Sequence, residues 1–166
     1  MKTKIIIPSL LLTCAVLMTA YYFFQSKNKT ETISCETNIY YKFYKPKPEV
    51  VANYNIIINL KGNSHREDGR GQFSLTANFY DGENTYYIRR DVITSYQVDN
   101  HGLYFFKTLY INKYARDTIP ENVEKRLVPD IFSKVNSLAS YTIRPQGKQG
   151  YVIYETDIPL LYCNRL

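Results

Sequence analysis

The stretch "ISCETNIYYKFY", residues 33–44, alternates between apolar and more polar side chains at every second position. Because successive side chains of a strand point to opposite faces, this alternation predicts one long β-strand with a buried face. The strand would carry a cysteine close to its start. The positions on the predicted buried face are Ile33, Cys35, Thr37, Ile39, Tyr41 and Phe43.

The same alternation recurs further along the chain and predicts four more strands, at about 51–60, 72–80, 84–98 and 103–111. The third and fourth are joined by "DGEN", an Asp-Gly turn of the kind that closes a β-hairpin. Strands joined by such short turns pair antiparallel, so the sequence predicts a meander. One charged residue, Arg90, interrupts the apolar face of the fourth strand.

Residues 117–141 have a different pattern, with apolar side chains at helical spacing. Thr118 is predicted to be the N-cap of this helical segment. Pro129 is predicted to divide it into two short pieces, because proline lacks the N–H that a helix interior needs. The apolar positions at helical spacing are Val123, Leu127, Ile131, Val135 and Leu138.

The chain then returns to β structure, with strands predicted near 140–145 and 150–156 and a last apolar segment, "IPLLYCN", at 158–164. About seven antiparallel strands with one helical excursion predict a mainly β (α+β) domain, either a strongly curved sheet or a small barrel. The 17 tyrosines and 8 phenylalanines leave two interpretations open. They fill the core and decorate the strands, or some of them line a cavity for an apolar ligand.

Outside the first apolar segment the chain has two cysteines, Cys35 and Cys163, near the two ends of its polar part. A disulfide between them would bring their Cα atoms within about 4.4–6.8 Å, so the first and last strands would have to touch. Such bonds persist in oxidising compartments. The alternative is two unrelated buried thiols in a domain that faces the cytoplasm.

Residues 5–24, "IIIPSLLLTCAVLMTAYYFF", contain no charge and are long enough to cross a bilayer as a helix. We expect an uncleaved signal anchor, because the run is longer than a signal-peptide core and ends in bulky aromatic residues. A cleaved signal peptide and a lipoprotein signal ending before Cys14 are the alternatives. The expected organisation is a cytoplasmic N-terminus at 1–4, the transmembrane anchor, a linker at 25–32 and a translocated β domain at 33–166.

No motif for catalysis, metal binding or a cofactor appears in the sequence. The candidate acidic residues lie in predicted turns, where carboxylates are ordinarily solvated, and the two histidines lack metal-ligand spacing. We therefore expect no enzymatic activity, no metal and no cofactor. The acidic residues and histidines considered are Glu67, Asp68, Asp81, Asp99, Asp117, His65 and His101.

The net charge of +6 is scattered along the chain and forms no basic stripe. Nucleic-acid-binding proteins usually concentrate lysine and arginine on one face. The nearest approach to a cluster is "IRRD" at 88–91, which we interpret as two arginines on opposite faces of a strand beside a turn. We expect no nucleic-acid partner.

The layout of the chain resembles the FidL-like membrane proteins of enteric bacteria, which include the YqeJ-type proteins. The features that carry the resemblance are the lysines before the span, the span ending in "YYFF", "ISCETNIYY" at 33–41, "YYIRRDV" at 86–92 and "IPLLYCNRL" at 158–166. Such proteins are encoded beside ToxR-like or CadC-like membrane regulators, and they are similar to the ToxS and VtrC partner proteins. In pairs of the latter kind, two periplasmic domains jointly form a lipocalin-like barrel that holds bile salts.

The resemblance implies a single-pass protein of the bacterial inner membrane, with a cytoplasmic N-terminus and a periplasmic C-terminal domain. Its implied role is that of an accessory protein that binds and stabilises the sensor domain of a ToxR/CadC-like regulator, and a shared bile-salt-like ligand is part of that expectation. It also implies a Cys35–Cys163 disulfide, and it transfers no ligand-binding residue. The alternative function is a self-sufficient module of the envelope, either ligand-binding or structural. A complete barrel favours the alternative, whereas an open strand edge beside an apolar groove favours the accessory role.

Overall fold

The computed structural model of the protein describes residues 17–19, 32–44, 50–62, 69–82 and 84–166. All strands and both helices named below belong to the second of two units into which the chain divides, Glu31–Leu166.

Only residues 17–19 of the predicted membrane anchor are described, and they are helical. The rest of the anchor at 5–24, the N-terminus at 1–4, and the linker at 25–32 apart from Thr32 lie outside the described residues. No helix in the described part of the chain is long and apolar enough to cross a membrane.

Eight strands are present among the described residues, and seven of them overlap the predicted strands. The sequence predicts seven or so, and the last segment, "IPLLYCN", lies within the eighth strand. The strands are β1 (Ile33–Phe43), β2 (Val50–Lys61), β3 (Gly69–Asp81), β4 (Asn84–Val98), β5 (Leu103–Lys113), β6 (Leu138–Gln146), β7 (Gly150–Glu155) and β8 (Ile158–Arg165).

Each strand pairs antiparallel with the next, and β8 pairs with β1, so the sheet closes into a barrel. The prediction of a mainly β domain built as a small antiparallel barrel is confirmed. An eight-stranded barrel has an interior just wide enough for side chains or for one small ligand. The predicted buried face of β1 is confirmed at Ile33, Cys35 and Thr37, but it does not extend along the whole strand, because Tyr41 is exposed.

The pairing of β1 with β8, which we call the seam, covers two residue pairs, Cys35–Arg165 and Glu36–Asn164. Just inside it, Cys35 and Cys163 form the predicted disulfide, with their Cα atoms 5.4 Å apart. Both cysteines are completely buried. The first and last strands are therefore joined by hydrogen bonds and by a covalent bond at the same place.

The barrel has two ends. The seam end is where β1 begins and β8 finishes, and the connector end is where β5 leads into residues 114–137, the helical connector to β6. At the seam end the interior is filled by packed rings: those of Phe73 and Phe106 meet edge to face at 5.4 Å, and Tyr96 lies 5.7 Å from Phe106. Gly69 pairs with Tyr96 and leaves room for that ring, because a Cβ there would overlap it.

The connector contains two short helices, α1 (Glu121–Leu127) and α2 (Asp130–Ser133), and Pro129 separates them as predicted. The predicted N-cap is wrong, because α1 begins after Pro120 and the Thr118 hydroxyl accepts a hydrogen bond from the backbone N–H of Tyr87. The prediction that the helical pattern continues as far as Leu138 is also wrong.

Val135 lies beyond both helices, and Leu138 is the first residue of β6; both side chains are exposed. Apolar spacing alone could not show that the last two positions of the pattern leave the helix, since pairing with β5 decides where β6 begins.

Candidate functional site

An apolar cavity of about 320 Å³ occupies the connector end of the barrel. Its walls come from every strand except β4, seven in all, and from the connector. The lining residues are Ile39, Tyr41, Phe43, Tyr54, Ile56, Ile58, Phe73, Phe106, Leu127, Pro129, Ile131, Phe132, Tyr141, Ile143, Ile153, Glu155, Leu160 and Leu161.

The geometry of the seam explains where this cavity lies. Beyond Glu36 and Asn164 no pairs join β1 to β8 in the described part of these strands. Past this point the two backbones form no ladder of pairs, and side chains such as Ile39 and Leu161 line the cavity. Tyr41 and Leu160 on this side are both more than one-third exposed, so the cavity reaches the surface between the two strands.

The connector forms the opposite wall, and hydrogen bonds hold it to the barrel. The Tyr54 hydroxyl donates to the backbone carbonyl of Leu127 at 2.8 Å. The hydroxyl of Thr108 donates to the carbonyl of Ile131 at 3.0 Å. Both bonds leave from inward-facing strand positions, which fixes the two helices against the interior of the barrel.

A buried arginine provides the strongest attachment of the connector. Arg90 is fully buried and faces inward from β4. Its Nε and Nη2 donate to the carboxylate of Asp117 at 2.6 and 3.1 Å. Its Nη1 donates to Glu124 at 2.6 Å and to the carbonyl of Phe132 at 3.0 Å. One guanidinium thus binds the start of the connector and both of its helices.

The charges of this cluster balance one another. Burial lowers the pKa of Arg90, but the hydrogen bonds that it donates to Asp117 and Glu124 outweigh burial and raise the pKa above its ordinary value. Burial raises the pKa of Glu124, while hydrogen bonds from Arg90 and Lys113 bring it below its ordinary value. The Lys113 ammonium lies 3.0 Å from the Glu124 carboxylate. Both shifts favour the charged forms of Arg90 and Glu124.

Polar groups are few in the cavity wall. Glu155 at the end of β7 is its only charged residue among those described, and it is exposed. Three tyrosines accompany it: the rings of Tyr41 and Tyr54 meet edge to face at 5.7 Å, and Tyr141 lies on β6. Burial raises the pKa of Tyr141, and the negative charge of Glu155 raises it further.

The predicted site residues met different outcomes. Cys35 and Cys163 are brought together as expected. The interpretation of Asp117 as a solvated turn residue is wrong, since its side chain is 4% exposed and bound to Arg90. Asp99 does lie in a turn, where its carboxylate accepts hydrogen bonds from the backbone N–H groups of His101 and Leu103. His65, Glu67 and Asp68 lie outside the described residues, as does the side chain of Asp81.

Within the described residues, no group of His, Cys, Asp and Glu side chains is placed to hold a metal ion. The arginine pair does lie on opposite faces of a strand, as interpreted, with Arg89 exposed and Arg90 buried. In the sequence Arg90 is an exception on an apolar face, but its role in holding the connector was not predicted. The signal that could have found it is the combination of an inward-facing cation with acidic residues in the segment that must cover it.

The aromatic residues answer the question that composition left open, because they do both things. Phe79 and Tyr96 are almost completely buried and lie outside the cavity lining, whereas Phe73 and Phe106 pack against each other and also form part of the cavity wall. Tyr41, Phe43 and Tyr141 line the cavity at the other end.

Comparison with known proteins adds the family. No curated protein and no solved structure matches the chain. A family model described as the YqeJ C-terminal domain matches residues 32–163, which include seven complete strands, most of β8 and both cysteines. The match covers most of the chain and nearly all of the barrel, and on this evidence the protein belongs to the YqeJ C-terminal domain family.

Proposed function

We propose that the barrel binds one small, mostly apolar molecule in the cavity at its connector end. The observation that carries this proposal is a cavity of about 320 Å³ walled almost entirely by aliphatic and aromatic side chains. Sites for small ligands are typically concave, mostly apolar and roughly 300–1,000 Å³ in volume, with few polar groups. The cavity lies at the lower end of that range, which suits a ligand of about ten to fifteen non-hydrogen atoms.

The barrel is also able to hold such a ligand without help from another chain. Its sheet closes on itself, and the disulfide fixes that closure. This supports the self-sufficient ligand-binding module over a barrel that needs strands from a partner.

The binding proposal is tested with 4-phenylbutan-1-ol, an uncharged ligand of the right size, added to the full-length protein in phospholipid vesicles. A ligand that binds only the folded state raises the urea midpoint of unfolding in proportion to its occupancy. The variant Ile39→Trp fills the mouth of the cavity and should abolish this shift. The matched control, Tyr40→Trp, changes the neighbouring residue on the outer face and should keep it.

The response of Ile39→Trp measures any effect that the ligand exerts through the lipid. A wild-type urea midpoint that does not rise, or that rises no more than the midpoint of Ile39→Trp, would overturn the binding proposal.

A second candidate function is the accessory role, in which the protein binds and stabilises the sensor domain of a ToxR/CadC-like regulator. One observation favours it: beyond Glu36 and Asn164, β1 and β8 do not pair with each other, and they lie there beside the mouth of an apolar cavity. Strand edges of this kind are templates for pairing with another chain. The role also assumes a single-pass anchor at 5–24 and a periplasmic barrel, which we propose together with it.

Co-purification from membranes tests the accessory role, using a regulator encoded beside this protein. Wild type should retain the regulator, and Cys35→Ser should retain it poorly because the seam is weakened. A reporter fused after Leu166 should be active in the periplasm. Recovery of the protein without the regulator would count against this role and leave the binding proposal intact.

A further inference from the structure

The charge of the cavity wall bears on which amphipathic molecules the cavity could hold. Its one charged side chain among the described lining residues is an acid, Glu155, and no lysine, arginine or histidine is among them. A ligand with a carboxylate or sulfonate head would meet no opposite charge there. A ligand with a cationic head would meet one.

The surroundings of Glu155 are aromatic. Tyr41, Phe43 and Tyr141 line the same cavity, and the rings of Tyr41 and Phe43 lie 6.0 Å apart. Glu155 follows Ile153 at the next inward position of β7, and Tyr141 would be its neighbour across β6 if the pairing Thr142–Tyr154 continued by one residue. Aromatic faces attract ammonium groups, most strongly where water is partly excluded.

The nearby basic residues are directed elsewhere. The guanidinium of Arg144 lies over the ring of Tyr154 at 4.9 Å, and neither residue lines the cavity. Lys42 lies over Tyr44 at 5.2 Å, again outside the lining. Arg90 is committed to Asp117, Glu124 and the carbonyl of Phe132. These cations therefore leave the charge of Glu155 unneutralised.

We propose that the cavity takes an amphipathic amine, with its apolar body among the aliphatic and aromatic walls and its ammonium group at Glu155 between the tyrosine rings. This proposal rests on the proposed ligand-binding function and adds the chemical class of the head group. It differs from the anionic, bile-salt-like ligand that the family resemblance implies.

Three ligands with the same phenylbutyl body separate head-group preference from apolar binding: 4-phenylbutylamine, 4-phenylbutan-1-ol and 4-phenylbutanoate. The chain contains no tryptophan, so Phe43→Trp places a single tryptophan, which can be excited selectively over the tyrosines, at the rim of the cavity. Titrations use the full-length protein in zwitterionic phospholipid vesicles. Leu160→Trp is the second reporter if the first variant does not fold.

The amine should bind roughly tenfold more tightly than the alcohol, as expected for one partly exposed ion pair combined with a cation–π contact. The acid should bind more weakly than the alcohol. In a Glu155→Gln background the amine and the alcohol should bind with nearly equal affinity. Glu121→Gln removes an equal charge from α1, outside the lining, and should leave the tenfold preference in place.

The outcomes separate the two proposals. If none of the three ligands binds either reporter, the ligand-binding function is wrong and the amine proposal falls with it. If the alcohol or the acid binds as well as the amine, or if Glu155→Gln keeps the preference, the cavity binds apolar molecules but the assignment of an amine is overturned.

Discussion

The two ends of this barrel are built from the same strands and differ in how the wall is completed. At the seam end, β1 and β8 are joined by backbone pairs and by the Cys35–Cys163 bond, and packed rings fill the interior. At the connector end those strands have no pairs with each other in their described residues, and an apolar cavity occupies part of the interior.

This contrast shows how a small barrel can have an open cavity in its interior. Closing the sheet firmly at one end fixes the strand order and register, so the other end does not need a complete wall. There the connector, held by Arg90 of β4, covers part of the interior, and the space that remains is available to a ligand. Stability and binding are thus divided between the two ends.

The largest expected effect comes from breaking the seam. Replacing both cysteines, as in Cys35→Ser with Cys163→Ser, should destabilise the protein by about 5 kcal/mol in the chain-entropy account, because the bond closes a loop of 128 residues. Urea unfolding monitored by circular dichroism measures this.

Reductant provides the control for the seam variant. It should lower the midpoint of the wild type and leave the double variant unchanged, since the double variant has no bond to reduce. Equal midpoints for oxidised wild type and the double variant would show that the seam does not depend on the disulfide.

The second effect concerns the connector end. Arg90→Met should cost about 3–5 kcal/mol, because it leaves Asp117 and Glu124 without their buried cation. Arg89→Met is the matched control on the outer face, where the guanidinium lies over Tyr114 at 4.7 Å, and it should cost less than about 1 kcal/mol. Urea midpoints that fall equally in the two variants would contradict the anchoring role of Arg90.

The strands could be predicted from the sequence because alternation is a local signal. The pattern in residues 84–98, for example, matches β4 residue for residue. The disulfide could be predicted because only two cysteines lie outside the first apolar segment, and its formation requires the first and last strands to meet. A closed barrel was one of two architectures that the pattern allowed.

The anchoring cluster could not be predicted in the same way. Arg90 lies 27 residues from Asp117 and 34 from Glu124, and only the path of the connector over the barrel brings them together. The cavity is less predictable still, because it depends on where the pairing of β1 with β8 stops. Its wall has the same residue types as the packed core, so composition does not distinguish them.

The third effect compares the two ends with one kind of substitution. Leu60→Ala acts in the packed seam end, where the side chain is fully buried, and should cost about 3 kcal/mol as a cavity-forming change. Leu161→Ala removes the same atoms from the wall of an existing cavity and should cost about half as much, because fewer packing contacts are lost.

Urea unfolding of the two leucine variants under identical conditions gives the comparison. Equal losses would mean that the connector end is packed as tightly as the seam end. Added 4-phenylbutan-1-ol should sharpen the contrast, since it should stabilise Leu60→Ala but have a weaker effect on Leu161→Ala, whose binding wall is altered.

The smallest effect is a dependence of stability on pH that comes from the connector end. The folded-state pKa of Glu124 lies below its ordinary value of 4.5, because its hydrogen bonds to Arg90 and Lys113 outweigh the effect of burial. A group with a lowered pKa contributes its full stabilisation above its unfolded pKa and loses it as the pH falls through the folded one. Stability should therefore fall below about pH 4.5.

Glu124→Gln should reduce that loss, because the glutamine is neutral throughout, while Glu121→Gln should keep it. Glu121 also has a lowered pKa, owing to its hydrogen bond with Lys125, but the pair is exposed on the surface and solvent screens it. The free energy of unfolding measured at pH 7 and pH 3.5 for the three proteins decides the matter. If wild type and Glu124→Gln lose the same free energy of unfolding between the two pH values, the groups responsible for acid sensitivity lie away from the connector. The contrast between the two ends would then rest on packing and the disulfide alone.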